Sequence, residues 1–527
     1  MKRILLLVMV AVLLVPAGLS LAQEKPTISY YAYWTGALDP GSYVETFVED
    51  KLNMNIDVRK VTHTDKEAVN LMLASGNMPD CGWFEQTAAY MAREELTRPI
   101  PVEMVKKYVP GLIEIFDQYP ILYGYALDPN DETQFLFLPD IYVGSEILFN
   151  PALYLRYDWI EKLGIDLGVN VEKLNDQLYI ADNGLTLEVF ENILNRFVKD
   201  DPDGNGQNDT FGLLKDWPVT MLPSQNLIAS FIEHEGKGIS WFAHPDMKKV
   251  LMDAQRMYAS GALYSEIFTV RWGEDWELIN TGKAGVLSGN AVATVWLNPW
   301  ANNRPPLSLM AGNPEAKLLM IPGLVGPNGM VNQAKWTKPT RWERFFVNWD
   351  VSDEKLADIL TFFNFTNFSD EETMATLWMG EKGVDWEWQG DKPVKLKTLQ
   401  NGERGTQIFC RNVQAGKVFE WDTYGELFSL GMKYYILPEG GVWNKGLVYP
   451  YKEDLLSQSK AAEVQNEYGQ DWTATYETYF MNVILGKANV EEDWDAYIKK
   501  LYDLKYGDFL AEMEKVPPFA ELVERYK

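Results

Sequence analysis

Segments with the hydrophobic pattern of β-strands alternate along the chain with segments that have the pattern of amphipathic helices. This alternation constrains the fold more than any other feature. Residues 28–33 have the composition of a β-strand, residues 44–52 place apolar side chains on one helical face, and residues 56–58 alternate as a strand does. An amphipathic helix follows at 69–73 and ends at Gly76. Strands separated by helices pair in parallel, because each helix crosses back over the sheet. The sequence therefore predicts an α/β fold with mainly parallel sheets flanked by helices.

Local signals mark where several helices begin. Ser42 with Glu45, and Thr64 with Glu67, have the spacing of capping boxes. Helical periodicity returns in four later segments, at 189–197, 250–258, 356–363 and 494–501. We find no short-period repeat and no long polar linker, which favours closely associated α/β lobes.

The N-terminus has the layout of a secretory signal. Lys2 and Arg3 precede an apolar run at 4–15, and the small residues Ser20 and Ala22, at positions −3 and −1, suit a cut before Gln23. The run is too short for a membrane-spanning helix, which needs about 20 residues. We therefore expect residues 1–22 to be a cleaved signal peptide and the mature chain to be exported. A lipid anchor on cysteine is not expected, because no cysteine lies near the cleavage site.

Composition limits the partners and the redox chemistry. The net charge of −27 repels nucleic acid, whose binding depends on Lys and Arg, so no nucleic-acid partner is expected. Only two cysteines are present, so the core rather than a disulfide framework must hold the fold. A bridge between Cys81 and Cys410 and two separate buried thiols both fit the sequence. The 19 tryptophans require either a large core or a stacking surface.

Several catalytic classes lack their motifs. The three histidines are not at metal-ligand spacing, residues 285–289 (GVLSG) miss the nucleophile-elbow pattern, and no phosphate-binding glycine motif occurs. We therefore expect a protein that is not an enzyme. Paired carboxylates remain an alternative among 75 acidic residues, because a glycoside hydrolase or lyase needs only two of them.

The sharpest local motif is DPDGNGQND at residues 201–209. Oxygen-bearing side chains occupy positions 1, 3, 5 and 9 of an EF-hand-like loop, with glycine at position 6. Position 12 is Gly212, so the usual bidentate glutamate is missing. The loop predicts a structural calcium ion, with a plain Asp/Asn/Gly turn as the alternative. The expected ligands are Asp201, Asp203, Asn205, the main-chain carbonyl of Gln207, and Asp209.

Segments in consistent order along the chain resemble extracellular solute-binding proteins of family 1, and more closely the large LplA-type and alginate-binding members. They are residues 73–80 (LASGNMPD), 155–164 (LRYDWIEKLG), 185–190 (LTLEVF), 200–212 (DDPDGNGQNDTFG), 258–263 (YASGAL), 281–285 (TGKAG), 379–385 (MGEKGVD) and 484–487 (ILGK) with Trp494. In related alginate binders the matching loop holds calcium, and those proteins carry glutamate where this chain has Thr210.

The resemblance implies a two-lobe periplasmic binding protein fold of type II, with a hinge between lobes that each contain a mainly parallel sheet. We expect an N-terminal lobe at 23–148 and about 322–375, and a C-terminal lobe at about 149–321 and 376–527. The implied partners are an oligosaccharide, held in an aromatic-lined cleft, and the membrane permease of an ABC transporter. Many proteins of this family are lipidated at a cysteine that this chain lacks, so we expect a periplasmic protein that is not lipid-anchored. We expect a monomer.

Sugar rings pack on aromatic faces, and their hydroxyls need a few polar groups. Tryptophans that follow predicted strand ends, the calcium-type loop or the segment at 379–385 are therefore the candidate contacts. Asp80 is a candidate hydroxyl acceptor or, alternatively, a helix cap, and the acidic surface mildly favours neutral glycans over uronates. A binder of peptides or other solutes on the same scaffold is the remaining alternative. The candidate ligand-binding residues are Trp34, Asp80, Trp83, Trp217, Trp296, Trp300, Trp386 and Trp388.

Overall fold

The computed structural model describes most of the chain after the N-terminal segment. The described residues are 25–141, 151–271, 273–290, 305–329, 331, 340–397, 399–400, 402–410, 451–452 and 459–525. The expected signal peptide at 1–22 and the candidate residues Trp296 and Trp300 lie outside these ranges. None of the described helices is long and apolar enough to cross a membrane.

The described strands are short, and they form two main sheets and three small ones. They are β1 (Thr27–Tyr31), β2 (Asn55–Val58), β3 (Cys81–Phe84), β4 (Ile100–Pro101), β5 (Leu127–Asp128), β6 (Asp131–Phe135), β7 (Leu138–Ile141), β8 (Pro151–Arg156), β9 (Val171–Lys173), β10 (Leu178–Ala181), β11 (Phe211–Leu213), β12 (Phe231–His234), β13 (Lys237–Ser240), β14 (Ala284–Asn290), β15 (Leu318–Ile321), β16 (Thr340–Val347), β17 (Trp386–Gln389) and β18 (Lys392–Lys395).

Helices surround both main sheets. They are α1 (Tyr43–Leu52), α2 (Lys66–Ala74), α3 (Ala88–Arg93), α4 (Val102–Tyr108), α5 (Pro110–Gln118), α6 (Ile121–Ala126), α7 (Tyr157–Leu163), α8 (Leu187–Lys199), α9 (Trp217–Met221), α10 (Met247–Ala259), α11 (Glu274–Asn280), α12 (Leu307–Gly312), α13 (Asp353–Phe368), α14 (Glu371–Met379), α15 (Lys460–Ile484), α16 (Val490–Asp503), α17 (Tyr506–Met513) and α18 (Phe519–Arg525).

The helix starts follow the expected capping chemistry with two differences. Helix α1 begins after Ser42, but the Ser42 side chain makes no capping hydrogen bond, and Glu45 instead accepts the Gly41 N–H at 2.6 Å. The cap of α2 is Asp65 rather than Thr64, since the Asp65 carboxylate accepts the Ala68 N–H at 3.0 Å. An aspartate one residue nearer the helix is a capping acceptor of at least equal strength.

The first lobe is built on the sheet with strand order β2-β1-β3-β16-β7. Strands β1, β2, β3 and β7 run in one direction, and β16 is antiparallel to both of its neighbours. Helices α4, α5 and α13 pack on it through a continuous apolar cluster. The second lobe has the order β11-β14-β8-β15-β10-β9, in which β8 and β9 are antiparallel to the other strands. This mixed α/β architecture confirms the expected fold class.

The apolar packing defines which segments belong to each lobe. Leu377, Trp386, Phe409 and Cys410 lie in the hydrophobic cluster of the first lobe. The reason is a direct contact with β1: the Tyr30 hydroxyl donates to the Ile408 carbonyl at 3.0 Å, and the Tyr30 and Phe409 rings stack. Helices α15, α16 and α17 pack with the second lobe.

Both cysteines lie in the core of the first lobe as free thiols. Burial raises the pKa of the Cys410 thiol to about 12, and it also raises the pKa of Cys81 well above its usual value. Of the two options left open by the sequence, the structure has the pair of buried thiols, which are protonated at neutral pH and therefore poorly reactive.

Candidate functional site

The chain joins the two main sheets twice, each time at the same edge of both sheets. We call the edge at which the parallel strands end the carboxyl edge of a sheet. One connection leaves β7 at this edge of the first sheet and enters β8 beside the ends of β14 and β15. A second leaves β15 at the carboxyl edge of the second sheet and enters β16 beside the end of β7. Because both connections join carboxyl edges, the crevice between the lobes lies where ligands of open α/β sheets bind.

An aromatic cluster occupies the carboxyl edge of the first sheet. Tyr33 and Trp34 follow β1, and His63 follows β2. The Tyr33 and His63 rings stack with their centroids 3.3 Å apart, and Trp34 meets both rings edge-on, at 4.7 Å from Tyr33 and 5.0 Å from His63. Tyr33 and Trp34 are half-buried. The cluster offers an apolar wall with polar ring atoms, a surface that suits the C–H faces of a sugar.

Polar groups continue along the same edge. The Arg344 guanidinium, on β16, donates to the main-chain carbonyls of Glu85 and Gln86, both at 3.3 Å, and lies 5.6 Å from the Phe137 ring centroid. Burial lowers the pKa of Arg344, which nevertheless stays cationic at neutral pH. The buried Oε1 atom of Gln86 has no hydrogen-bond partner in the described part of the chain.

The carboxyl edge of the second sheet carries a carboxylate and a hydroxyl in contact. Asp216 follows β11 in a left-handed conformation (φ 57°, ψ 33°), and its Oδ2 accepts the hydroxyl of Ser288, on β14, at 2.5 Å. The neighbouring Lys215 pairs with Asp275 rather than with Asp216, with 3.4 Å between Nζ of Lys215 and Oδ2 of Asp275. The second edge is thus acidic at Asp216, whereas Lys215 and Asp275 offset each other.

Trp34 is the candidate tryptophan that the structure places at a carboxyl edge with part of its surface exposed. Trp83 is 1% exposed and packs edge-on against Phe345 with centroids 5.3 Å apart. Trp217 follows Asp216, but it is 6% exposed and its ring faces Phe480 in the second core. These two indoles contribute to the cores of the lobes.

Trp386 and Trp388 belong to the β17–β18 hairpin of the first lobe. Trp386 is fully buried and donates its indole N–H to the Gly380 carbonyl at 3.0 Å. Trp388 is half-buried and its ring meets Trp386 edge-on at 5.6 Å. Neither residue directly follows a strand of a main sheet, in contrast to Trp34.

Asp80 lies at the opposite, amino edge of the first sheet, since it directly precedes β3. Its Oδ2 accepts the main-chain N–H of Ser29 at 2.7 Å and the Ser29 hydroxyl at 2.9 Å, and it pairs with Lys355 at 2.7 Å. These partners give Asp80 a role inside the lobe, binding β1 and α13 to the start of β3.

Sequence reasoning missed Tyr33, His63, Asp216 and Ser288. The signal that finds the first three is position, because each follows a strand of a main sheet by two to five residues. Ser288 lies inside the apolar β14, where only the pairing of strands reveals that it meets Asp216.

The EF-hand-like loop has a preformed coil in the second lobe. Asp201 Oδ1 and Oδ2 accept the main-chain N–H groups of Asn205 and Gly206, at 3.1 and 2.9 Å, and the Gly206 N–H is the first cause of the lowered pKa of Asp201. The Asn205 amide donates to Asp203 and Asp209 at 2.9 and 3.0 Å. The side chains at four loop positions thus lie together, and their carboxylate and amide groups are of the types that calcium prefers.

Two features distinguish this loop from a complete EF-hand. The Lys283 ammonium pairs with Asp209 and lowers the pKa of that carboxyl. The Thr210 hydroxyl donates to the Phe197 carbonyl, so it turns away from the loop. No cluster of three or more His, Cys, Asp or Glu side chains with metal-binding geometry occurs among the described residues. The donor types fit a calcium ion. One of these donors, Asp209, already pairs with the Lys283 ammonium.

Comparison with known proteins finds relatives among transport proteins. The chain is 24% identical over 269 residues to the polygalacturonan/rhamnogalacturonan-binding protein YtcQ of Bacillus subtilis (strain 168), covering 50% of this chain and 48% of YtcQ. It is 21% identical to the fructooligosaccharide ABC transporter substrate-binding protein FusA of Streptococcus pneumoniae serotype 4 (strain ATCC BAA-334 / TIGR4), covering 94% and 90%. Lipoprotein LipO of B. subtilis is 24% identical, covering 60% and 61%. No protein-family model matches.

Solved structures share the fold over nearly the whole chain. The alginate-binding protein AlgQ2, solved without calcium ion, superposes with a TM-score of 0.67 at 17% identity, covering 94% of this chain and 98% of AlgQ2. S. pneumoniae FusA in complex with kestose gives 0.66 at 16% identity, covering 95% and 99%. An EF-hand mutant of FusA in complex with fructo-nystose gives 0.63 at 16% identity, covering 95% and 98%. These comparisons confirm the resemblance that the sequence motifs indicate: the chain is similar in sequence to ABC transporter substrate-binding proteins and has the fold of two-lobe solute-binding proteins.

Proposed function

We propose that this protein is the substrate-binding component of an ABC importer, which captures an oligosaccharide between its lobes and delivers it to a membrane permease. The observation that supports this most is the content of the two carboxyl edges that the chain joins. One edge carries the aromatic cluster of Tyr33, Trp34 and His63, and the other carries Asp216 and Ser288. Aromatic faces with sparse polar groups fit a sugar site.

The proposal extends to the cell compartment and the assembly. The mature chain acts in the periplasm as a monomer without a lipid anchor, and its sugar-loaded form is what the permease accepts. Ligand binding closes the lobes about the connections between the two sheets, a common motion of this architecture. The support for an extracytoplasmic role is the similarity to FusA and LipO.

Binding without turnover separates this function from its alternatives. We expect purified mature protein to gain thermal stability with an oligosaccharide and to leave the sugar intact, because a ligand that binds only the folded state stabilises it. The ligands are a neutral fructooligosaccharide, a uronate oligosaccharide and a peptide of similar size, followed by thermal shift and by chromatography of the sugars. Shorter sugar products would favour a hydrolase or lyase, and stabilisation by the peptide alone would favour a peptide binder.

A pair of tryptophan variants tests the position of the site. Trp34→Ala removes an aromatic face from the crevice, and we expect about tenfold weaker binding of the stabilising sugar. Trp349→Ala is the matched control, because Trp349 is 56% exposed and follows β16 at the amino edge, where β16 meets the start of β3. Equal affinities for both variants would place the sugar elsewhere.

We also propose that the loop at 201–209 binds one structural calcium ion. Asp201, Asp203, Asn205 and Asp209 would supply side-chain oxygens, and Gln207 would supply its main-chain carbonyl. The ion would neutralise carboxylates that repel one another and hold the segment between α8 and β11. We assign the ion no catalytic role, because the loop precedes β11 at the amino edge of the second sheet, away from the crevice.

A further inference from the structure

Asp216 has a backbone conformation that is unusual for its position. It lies directly before α9, where an aspartate ordinarily accepts a main-chain N–H of the helix, yet its side chain makes no capping hydrogen bond. Its φ of 57° is in the left-handed region, which costs free energy for a residue other than glycine. Such conformations concentrate at binding sites. The consequence here is that the carboxylate turns from the helix toward Ser288.

The Asp216 carboxylate retains free acceptor capacity. An ionised carboxylate has about four lone-pair sites, and the hydroxyl of Ser288 uses one of them, at 2.5 Å from Oδ2. No other described side chain donates to Asp216. The residue is half-buried at the carboxyl edge of the second sheet. Sugar hydroxyls are hydrogen-bond donors, and a half-buried carboxylate binds such donors more strongly than a neutral acceptor does.

Among the described residues, no cation pairs with Asp216. The adjacent Lys215 pairs with Asp275, and Arg344, at the carboxyl edge of the other sheet, donates to the carbonyls of Glu85 and Gln86. A carboxylate on a bound sugar would therefore meet a like charge at Asp216, with a repulsion that a half-buried site screens only in part.

We propose that Asp216, oriented by Ser288, accepts sugar hydroxyls in the crevice and makes the site select neutral oligosaccharides over uronate oligosaccharides. This inference rests on the proposed function and adds the substrate class to it. Ser288 is a positioning residue in this arrangement, because its hydroxyl holds one carboxylate oxygen and leaves the other for the ligand.

Titration calorimetry with a neutral fructooligosaccharide and an oligogalacturonate tests the inference. We expect the wild type to prefer the neutral sugar. Asp216→Asn keeps the size of the side chain and tolerates the left-handed conformation, and we expect it to bind the neutral sugar about tenfold more weakly. The same variant should bind the oligogalacturonate more tightly than the wild type does. Ser288→Ala should weaken neutral-sugar binding by a smaller factor.

Asp176→Asn is the matched control, because its carboxylate is 97% exposed in the turn before β10, at the amino edge of the same sheet. It should bind both sugars as the wild type does, and circular dichroism of each variant verifies folding. Wild-type affinity of Asp216→Asn for the neutral sugar, or a wild-type preference for the oligogalacturonate, overturns the inference and leaves the proposed function standing. A wild-type protein that binds no oligosaccharide overturns both.

Discussion

Gly212 explains why the calcium-type loop lacks its twelfth ligand. The residue lies in β11, and a Cβ atom at this position would be 2.1 Å from the carbonyl oxygen of Ala262. The main chains approach closely there because the Leu213 N–H donates to that same carbonyl at 3.0 Å. Any side chain, glutamate included, would push the two segments apart. At this position close packing of the second lobe takes precedence over a complete set of metal ligands.

Gly212→Ala is expected to destabilise the protein. The added methyl group meets backbone rather than a flexible side chain, so the free energy of unfolding should fall by about 1–3 kcal/mol. Urea denaturation measures the change. Gly312→Ala is the control, because a Cβ atom at Gly312, in α12, meets nothing within 4 Å. An equal loss of stability in both variants would contradict the explanation by contact with Ala262.

At the scale of elements, the loop at 201–209 joins helix α8 to strand β11 and is held by hydrogen bonds within the loop and by one ion pair to a distant residue. Asp201 accepts two main-chain N–H groups, and Lys283, next to the start of β14, pairs with Asp209. The main chain is therefore coiled by its own hydrogen bonds, while its carboxylates remain crowded. A calcium ion would relieve that crowding and hold α8 against β11.

Removal of calcium is expected to lower the melting temperature of the protein. Calcium at about a hundredfold above its dissociation constant stabilises the folded state by about 2.7 kcal/mol, and a chelator removes this contribution. Differential scanning calorimetry with calcium and with chelator measures it. Asp201→Asn should lose the response, and Asp495→Asn, an exposed aspartate of α16, should keep it. A wild type that melts at one temperature under both conditions would argue against the ion.

At the scale of the whole molecule, the C-terminal helix connects the lobes. Phe519 and Leu522 of α18 pack on Tyr125 of α6, which belongs to the first lobe. The same segment is tied to the second lobe, because Val516 also packs against the core of that lobe. The segment around this helix therefore ties the first lobe to the second.

Phe519→Ala is expected to loosen this connection. Loss of a buried phenylalanine costs about 3–5 kcal/mol of local packing, so the melting temperature should fall and the radius of gyration from small-angle X-ray scattering should rise. Leu71→Ala, at a side chain that is 69% exposed on α2, should change neither quantity. An unchanged radius of gyration in a destabilised Phe519→Ala protein would limit the helix to a role in stability.

The fold was predictable to a large extent because its signals are local. Ser352 caps α13 as expected, with its hydroxyl accepting the Lys355 N–H at 3.3 Å, and the apolar stripe of α8 at Phe190, Ile193 and Phe197 is buried. The site was predictable only in part. Trp34 follows a strand end and reaches the crevice edge, whereas Trp83 also lies near a strand end but points into the core, because alternate residues of a strand face opposite sides of the sheet.

The sequence by itself determined the succession of strands and helices, the coil of the 201–209 loop and the family resemblance, since all of these depend on residues close together in the chain. Only the tertiary structure decided how the aromatic surplus is used. Trp217 meets Phe480, and Trp472 meets Tyr506 and Phe509 in the core of the second lobe. Asp216 meets Ser288 across two paired strands. These contacts join distant parts of the chain, and their partners are set by the order of strands in a sheet, which no local pattern encodes.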